Sequence, residues 1–166
     1  DRNQAKTFIY AFLYGAGPAK IGQIVGGGFR EGQQLIDSFL RNTPALAKLR
    51  EKVATHSAGG TLPGLDGRRL RVRSEHAALN TLLQGAGAVV MKQALVLLSE
   101  SLNQYDIPHK LVANVHDEFQ IEVPENFADV VGKAAVRAIR NAGDVLDLRC
   151  PLDAEYNVGN NWAETH

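Results

Sequence analysis

The sequence predicts an α+β protein in which four helices precede an antiparallel sheet that is packed by long helices. Three observations lead to this fold class. Apolar residues recur at helical spacing through residues 1–58. From Gly59 the pattern changes to short segments of alternating apolar and polar residues around an Asp-Gly turn. Two longer helical stretches border the alternating segments that follow. There is no internal repeat and no low-complexity segment.

The opening helices are predicted over residues 2–14, 18–25, 29–40 and 44–56. Gly15 ends the first of them, because glycine accepts the backbone conformation that follows a helix. Thr43 is predicted to cap the fourth helix, with Pro44 in the first turn of that helix. The first third of the chain is therefore predicted to be helical throughout.

The remaining elements alternate between strands and helices. A hairpin is predicted to turn on Asp66 and Gly67, because this pair tolerates positive φ at low cost. The later elements are a helix over residues 75–103, strands over 110–115 and 118–123, a helix over 125–141 and a last strand over 151–158.

Composition indicates an ordinary globular protein. Of 166 residues, 45% are hydrophobic and 22% are charged, which is enough to form a core. Cys150 is the single cysteine, so no internal disulfide forms, and we see neither a leader nor an apolar run near the ~20 residues that span a bilayer. We therefore expect a soluble protein of a reducing compartment, the cytoplasm, with no membrane partner.

The charges balance over the chain as a whole. Eighteen basic residues stand against eighteen acidic ones, so the formal net charge is zero and no strong long-range attraction for polyanions is expected. Local clusters must carry any such preference. Four arginines fall within six residues at positions 68, 69, 71 and 73, and a solvated surface is the alternative interpretation of this cluster.

One face of the first helix carries two cations followed by two phenols. They lie four residues apart and are Arg2, Lys6, Tyr10 and Tyr14. Four residues are slightly more than one turn, so these side chains form a slanting stripe on one surface. The residues expected to be buried instead are Phe8, Ile9, Phe12 and Leu13. The stripe is thus free to contact a ligand.

The stretch LVANVHDEFQIEV predicts a two-stranded hairpin with His116 and Asp117 at its tip. An acid in this place could share a cation with neighbouring groups. In a straight strand Asp117 and Glu118 would point to opposite faces, so only the turn lets both approach one site. A polar turn with incidental acids remains the alternative at this point.

Together, these segments resemble the motifs of family A DNA polymerases, the DNA polymerase I group. The matching stretches are RxxxKxxxYxxxYG from Arg2, VHDE ending at Glu118, HAALNTLLQGAGA over residues 76–88, GLDGRRLRVRS over residues 64–74, and the ending NWAETH. In detail they are most similar to replicative polymerases of short-tailed phages. The resemblance implies that residues 1–58 are the later part of the fingers and that residues 59–166 are most of the palm, ending at the natural C-terminus.

The resemblance also implies a role for each member of the stripe. Arg2 and Lys6 would hold the triphosphate of an incoming dNTP, and Lys6 would supply a proton or positive charge to the departing pyrophosphate. Tyr10 matches the position that faces the sugar, and Tyr14 matches the ring at the insertion site. Since some relatives have Phe where this chain has Tyr10, the resemblance implies tolerance of dideoxynucleotides.

The acidic hairpin matches the catalytic turn of the family. Asp117, with Glu118 as a neighbouring acid of secondary importance, would bind two Mg²⁺ ions together with a second aspartate. The residues implied to contact primer–template DNA are Arg69, Arg71, Arg73, His76, Asn80, Gln84 and His116. His76 stands where many relatives have Arg.

The second aspartate lies in a motif that no stretch of this chain matches. We therefore expect the chain to be part of a larger or split enzyme and to be inactive alone. Its implied partners are the missing N-terminal portion, DNA and dNTP, with a processivity factor as a further candidate, and its compartment is the bacterial host cytoplasm if a phage encodes it. The alternatives are a non-catalytic DNA- or nucleotide-binding remnant and a fragment of a single-subunit RNA polymerase.

Overall fold

A computed structural model describes residues 1–165 of the chain. Its helices are α1 (Arg2–Leu13), α2 (Pro18–Ile24), α3 (Phe29–Asn42), α4 (Pro44–Ser57), α5 (Ala78–Gln104), α6 (Ala128–Val145) and α7 (Trp162–Thr165). Its strands are β1 (Thr61–Pro63), β2 (Arg69–Arg71), β3 (Lys110–Val115) and β4 (Glu118–Glu122). Short 3₁₀ turns, Glu75–Ala77 and Glu125–Phe127, precede α5 and α6. The α+β fold class predicted from the sequence is confirmed, and six helices and both hairpins lie where they were expected.

The chain divides into two compact units, Asp1–Gly85 and a second that begins at Ala86. The division falls inside α5, so this helix contributes to the cores of both units. The assignment of residues 1–58 to fingers and 59–166 to palm stays a prediction.

Aromatic packing anchors α1 in the first unit. Phe8 and Phe12 are buried and meet the ring of Phe39 edge-on, with centroids 5.1 Å and 5.2 Å apart. Ile9 was expected to be buried with them, but it is 42% exposed. Only the face of α1 that carries the two phenylalanines is covered in this unit, and Ile9 lies outside it.

Two glycines let α2 and α3 approach closely. A Cβ built on Gly22 would lie 1.9 Å from the carbonyl oxygen of Gly28, and one built on Gly32 would lie 1.9 Å from that of Pro18. Neither position has room for a side chain. The helices therefore pack backbone against backbone around Ile21, which is fully buried.

The second unit is built around α5, α6 and the β3–β4 hairpin. Its buried cluster comprises Leu98, Leu102, Val131 and Ala138. Phe119 and Ile121, on one face of β4, pack against this cluster. The other face of the strand carries polar residues, as the period-2 alternation predicts.

The predicted single sheet is wrong in one respect. The strands pair as two separate two-stranded hairpins, β1 with β2 and β3 with β4, and the first lies in the first unit. The hairpin signals were correct because a hairpin needs only local pairing, whereas joining the hairpins needs a strand between them. Within residues 1–165 no further strand is formed.

The predicted last strand over residues 151–158 is also wrong. These residues have no regular secondary structure. A strand forms only where a neighbour accepts its ladder of hydrogen bonds, and no segment of the described chain pairs with this one. Side chains of α6 hold the segment instead.

The segment lies against α6, where two glycines make room for it. Leu152 packs over Gly143, and the ring of Tyr156 packs over Gly132. The Tyr156 hydroxyl donates a hydrogen bond to Asp129 on the same helix. The C-terminal segment is therefore fixed by contacts with one helix rather than by a sheet.

The stretch Glu75–Gln104, which includes α5, is the one part of the described chain that could cross a membrane by length and composition alone. A single such helix is weak evidence, because core helices of globular proteins pass the same test. Leu98 and Leu102 of this helix are only 2% and 1% exposed, whereas Leu83 and Val96 are 38% and 51% exposed, so the core covers only part of its surface.

The contact between Tyr156 and Gly132 yields a stability prediction. A Cβ built on Gly132 would lie 2.2 Å from the Tyr156 ring, so Gly132→Ala must displace the C-terminal segment. We expect a loss of about 1–3 kcal/mol in the free energy of unfolding, the usual cost of overpacking. Urea unfolding followed by circular dichroism measures it.

The matched control is Gly87→Ala in α5, where a Cβ would meet nothing within 4 Å. Here the better helix propensity of alanine should stabilise the protein by up to about 1 kcal/mol. Equal effects of the two substitutions would contradict the close packing of Tyr156 on α6.

Candidate functional site

The stripe on α1 is exposed along its length. Asp1 caps the helix by accepting a hydrogen bond from the backbone N–H of Gln4 at 2.8 Å, so the stripe begins on an ordered first turn. Tyr10 and Tyr14 are 54% and 59% exposed. The Lys6 ammonium nitrogen lies 5.9 Å from the centre of the Tyr10 ring. An anion could reach the stripe without displacing any core residue.

The two cations of the stripe are not neutralised. Arg2 and Lys6 form no ion pair with any carboxylate in residues 1–165. Surface cations that no carboxylate neutralises keep their attraction for a polyanion such as a triphosphate. The arrangement is therefore suited to anion binding.

The end of α1 meets the start of α5 within the first unit. The amide nitrogen of Gln84 donates a hydrogen bond to the Tyr14 hydroxyl at 3.4 Å, a long contact across 70 residues of sequence. Gly15 has a φ of +81°, and a Cβ there would lie 2.1 Å from the carbonyl oxygen of His76. Gly15 thus allows the close approach that places Tyr14 beside Gln84.

The residues predicted to read DNA follow one line on this helix start. His76, Asn80 and Gln84 are four residues apart, and His76 lies in the 3₁₀ turn just before α5. His76 and Gln84 are exposed, whereas Asn80 is half-buried. The structure therefore brings the end of the stripe and this line of polar residues onto adjoining surface.

The arginine hairpin separates one paired arginine from the others. Arg68 binds Asp66, with its Nε 2.6 Å from a carboxylate oxygen, and this pairing lowers the pKa of Asp66. Arg69 and Arg71 lie on the exposed face of β2 and Arg73 follows it, and none of them has an ion-pair partner in the described chain. These three are the arginines available to phosphate groups.

In the second unit, the acidic hairpin turns as predicted. Val115 pairs with Glu118, which leaves His116 and Asp117 as a two-residue turn. His116 has a φ of +53°, a left-handed conformation that is uncommon outside glycine but enriched in histidine. Asp117 is exposed at the tip, and Glu118 is half-buried and accepts a hydrogen bond from Gln120.

The acids at this turn suit magnesium in kind but supply only part of its coordination shell. Carboxylate oxygens are the ligands that Mg²⁺ prefers, and it often takes one or two carboxylates beside water and phosphate oxygens. No group of three or more His, Cys, Asp or Glu residues within residues 1–165 could hold a metal ion. Asp117 and Glu118 are therefore carboxylates of the kind that Mg²⁺ prefers, but two of them do not complete its coordination shell.

A cleft of about 840 Å³ opens beside the acidic turn in the second unit. Its walls are β4, α6 and the C-terminal segment with α7, and its lining includes Asp117, Glu118, Trp162 and Thr165. Sequence reasoning did not predict that the C-terminal residues border this cleft. No local pattern signals a contact between segments about 45 residues apart, and only the ending NWAETH pointed to a role for them.

The matches to known proteins agree with these motifs. The model of DNA polymerase family A matches residues 1–164. The chain belongs to DNA polymerase family A. It is 44% identical to a DNA-directed DNA polymerase of Escherichia phage T7, over 99% of this chain and 27% of that protein. It is 41% identical to the DNA-directed DNA polymerase of Escherichia phage Phieco32, over 99% of this chain and 28% of the relative.

A solved structure supports the fold of this family A chain. The POL domain of Pol1 from M. smegmatis, in complex with DNA primer-template and dNTP, superposes with a TM-score of 0.76 at 21% identity. The superposition covers 93% of this chain and 28% of that one. The chain therefore spans about a quarter of the length of these polymerases.

The zero net charge of this family A chain is the sum of a basic first unit and an acidic second unit. The first unit has twelve lysines and arginines against six aspartates and glutamates, and the second has six against twelve. The side-chain charges thus come to about +6 and −6. The prediction that local clusters carry any attraction for polyanions understated this: the whole first unit is basic, whereas Asp117 and Glu118 lie in the acidic unit.

Three carboxylates that hold the C-terminal segment have lowered pKa values. The Lys133 ammonium, with the Tyr156 hydroxyl, lowers the pKa of Asp129. The Arg140 guanidinium does the same for Asp153, which it contacts at 2.9 Å. The backbone N–H of Asn160 lowers the pKa of Glu164 in α7.

These shifts predict that acid releases the C-terminal segment. A carboxylate whose pKa is lowered in the folded state stabilises the protein at a pH above its ordinary pKa, which is 3.8 for Asp and 4.5 for Glu. It loses this contribution as the pH falls through the pKa of the folded state. Trp162 is the only tryptophan, so its fluorescence reports on α7. We expect stable emission from neutral pH down to about 5 and a red shift below about 4.

Asp153→Asn removes the Arg140 pair and should weaken the segment's attachment at neutral pH, which moves the red shift to higher pH. The control is Asp106→Asn, at a carboxylate with no hydrogen bond or ion pair in residues 1–165 and a φ of 50° that Asn also adopts. An acid transition that Asp153→Asn and Asp106→Asn alter equally would contradict the assignment.

Proposed function

We propose that this chain is the C-terminal part of a template-directed DNA polymerase, with later fingers in residues 1–58 and palm in residues 59–166. It binds dNTP and primer–template DNA and contributes one of the two carboxylates that hold the catalytic magnesium ions. It is inactive alone and works in the cytoplasm, that of a bacterial host if a phage encodes it. The family and the phage relatives support this proposal.

The observation that carries the proposal is the contact between Tyr14 and Gln84. It joins the end of the α1 stripe to the line of polar residues that starts α5. A nucleotide on the stripe would therefore have its base beside groups that can contact the minor-groove edge of a nascent pair. Such contacts test the shape of a base pair rather than its sequence, because the minor-groove pattern is degenerate.

The stripe is suited to the triphosphate. Arg2 and Lys6 hold the phosphate oxygens, and Lys6 offsets the charge that develops on the departing pyrophosphate. Tyr10 packs against the sugar, and Tyr14 leaves its contact with Gln84 when the incoming base occupies the insertion site. Arg69, Arg71, Arg73 and His76 bind phosphates of the DNA backbone.

The acidic turn provides the carboxylates for the catalytic metal ions. Asp117 would hold the metal ions from the tip of the hairpin, Glu118 would support it, and His116 would lie near the primer end. Bound magnesium would stabilise charge on the attacking and leaving oxygens. The second aspartate comes from the N-terminal portion of the polymerase.

Three features of the second unit suit that missing portion. The cleft beside Asp117 has room for a further segment. Leu111 and Val112 of β3 are 45% and 65% exposed. Residues 151–158 have no partner strand within the described chain. A strand of the missing portion could cover these surfaces and bring its aspartate to the turn. A processivity factor is a further candidate partner.

The relatives guide the choice of nucleic acid. The M. smegmatis domain was solved with primer-template and dNTP. The matched family and the phage relatives are DNA polymerases, which does not favour the RNA polymerase alternative. We therefore propose primer–template DNA and dNTP as the ligands of this chain.

Complementation tests the proposal. The 166-residue chain is mixed with an N-terminal portion of a family A polymerase that carries the second aspartate, and Mg²⁺-dependent primer extension is measured. We expect extension only in the mixture. Asp117→Asn should lower its rate by about two to three orders of magnitude, because a metal-binding carboxylate accounts for several kcal/mol of transition-state stabilisation.

Asp144→Asn is the matched control and should leave the rate unchanged, because the Asp144 carboxylate makes no hydrogen bond or ion pair in residues 1–165. Robust extension by the isolated chain would contradict the predicted inactivity. A mixture in which Asp117→Asn extends primers as fast as the parent would favour a non-catalytic remnant.

A further inference from the structure

The polar face of β4 carries an amide between two acids. Glu118, Gln120 and Glu122 alternate along this face, while Phe119 and Ile121 face the core. Glu122, the acid farther from the turn, is paired with Lys110 at 2.8 Å. Gln120 therefore lies between a neutralised acid and the acid next to Asp117.

Both ends of the Gln120 side chain are engaged. Its nitrogen donates a hydrogen bond to the Glu118 carboxylate. Its oxygen lies 3.3 Å from the Thr165 hydroxyl, which can donate to it. A carboxylate accepts and a hydroxyl can donate, so the two contacts agree on which end of the amide faces Glu118. The amide restricts the Glu118 carboxylate without adding a charge that would compete with a cation.

Thr165 is itself held in place. The Asn157 side chain donates to its carbonyl oxygen at 3.3 Å, which ties α7 to the C-terminal segment. Glu164 accepts hydrogen bonds from the Asn160 backbone at 2.8 Å and from the Asn161 side chain at 2.6 Å. The turn into α7 is thereby fixed.

The segment before α7 is anchored on α6 by Tyr156 with Asp129 and by Arg140 with Asp153. A continuous series of contacts therefore runs from α6 through the C-terminal segment and α7 to Gln120, and from Gln120 to Glu118.

We propose that Gln120 is a positioning residue that orients the Glu118 carboxylate beside the Asp117 turn, and that Thr165 sets the orientation of the Gln120 amide. This inference rests on the proposed polymerase function for its catalytic consequence. Its structural part, the engaged amide, stands independently of that function. The C-terminal residues then serve the reaction through Gln120 rather than by touching substrate.

The structural part is tested by NMR on the ¹⁵N-labelled 166-residue chain without metal. The side-chain NH₂ protons of Gln120 should exchange with water more slowly than those of Gln34, which is exposed. Thr165→Val, which keeps the shape but removes the hydroxyl, should shift the Gln120 signals, whereas Thr165→Ser should preserve them. Gln120 protons that exchange as fast as those of Gln34 would overturn the proposal.

The catalytic part is tested by single-turnover extension in the complemented enzyme. Gln120→Met keeps the length but removes the amide, and it should lower the maximal rate about 10-fold, the effect expected for one hydrogen bond to a charged group. The dNTP concentration for half-maximal rate should stay within about twofold, because Gln120 does not touch the nucleotide. Thr165→Val should lower the rate about threefold, and Thr165→Ser should restore it.

Glu122→Gln is the matched control on the same face of β4 and should leave the rate within about twofold of the parent. Two outcomes would overturn the catalytic part: a parent-like rate for Gln120→Met, or a change confined to the half-saturating dNTP concentration. If the parent mixture itself extends no primer, the proposed polymerase function and the catalytic role of Gln120 both fail. The NMR result still decides whether Gln120 holds Glu118.

Discussion

The position of Asp117 depends on the packing of β4. Phe119 and Ile121 are held in a core with Leu98 and Leu102 of α5, and Val115 pairs across the hairpin with Glu118. Once these contacts form, the chain has only two residues in which to reverse direction, so His116 takes a left-handed conformation and Asp117 is carried to the tip. The acid is therefore placed by apolar burial two to four residues away. A slip of one residue would turn the polar face of β4 into the core, which the buried cluster forbids.

In the first unit, apolar burial likewise determines which side chains are exposed, here on a helix. Phe8 and Phe12 pack on Phe39 and fix the rotation of α1, which leaves the stripe from Arg2 to Tyr14 on the outside. The unit has twelve basic residues against six acidic ones, so its field favours phosphate before any specific contact forms. The second unit has the opposite balance and attracts cations. The proposed chemistry needs both, because a polymerase must hold a polyanion and the metal ions that neutralise it.

Local signals made most of the elements predictable. Gly15, Thr43 and the Asp66–Gly67 pair mark element boundaries by backbone preferences that need no tertiary partner, and each boundary was found close to its predicted place. Residues 151–158 look like a strand but lack a partner in the described chain, and periodicity cannot report the absence of a partner. The contacts of Tyr14 with Gln84 and of Gln120 with Thr165 join residues 70 and 45 positions apart, so no sequence window contains them. The candidate site was predicted through motif resemblance, whereas its supporting contacts needed coordinates.

We propose that the α1 stripe and the Asp117 turn act on one nucleotide. The most direct measurement is the structure of the complemented polymerase bound to primer-template, a chain-terminated primer, dNTP and Mg²⁺. We expect a single dNTP whose triphosphate contacts Arg2 and Lys6 and shares a metal ion with Asp117. A nucleotide held by the stripe while Asp117 faces solvent without metal would contradict it.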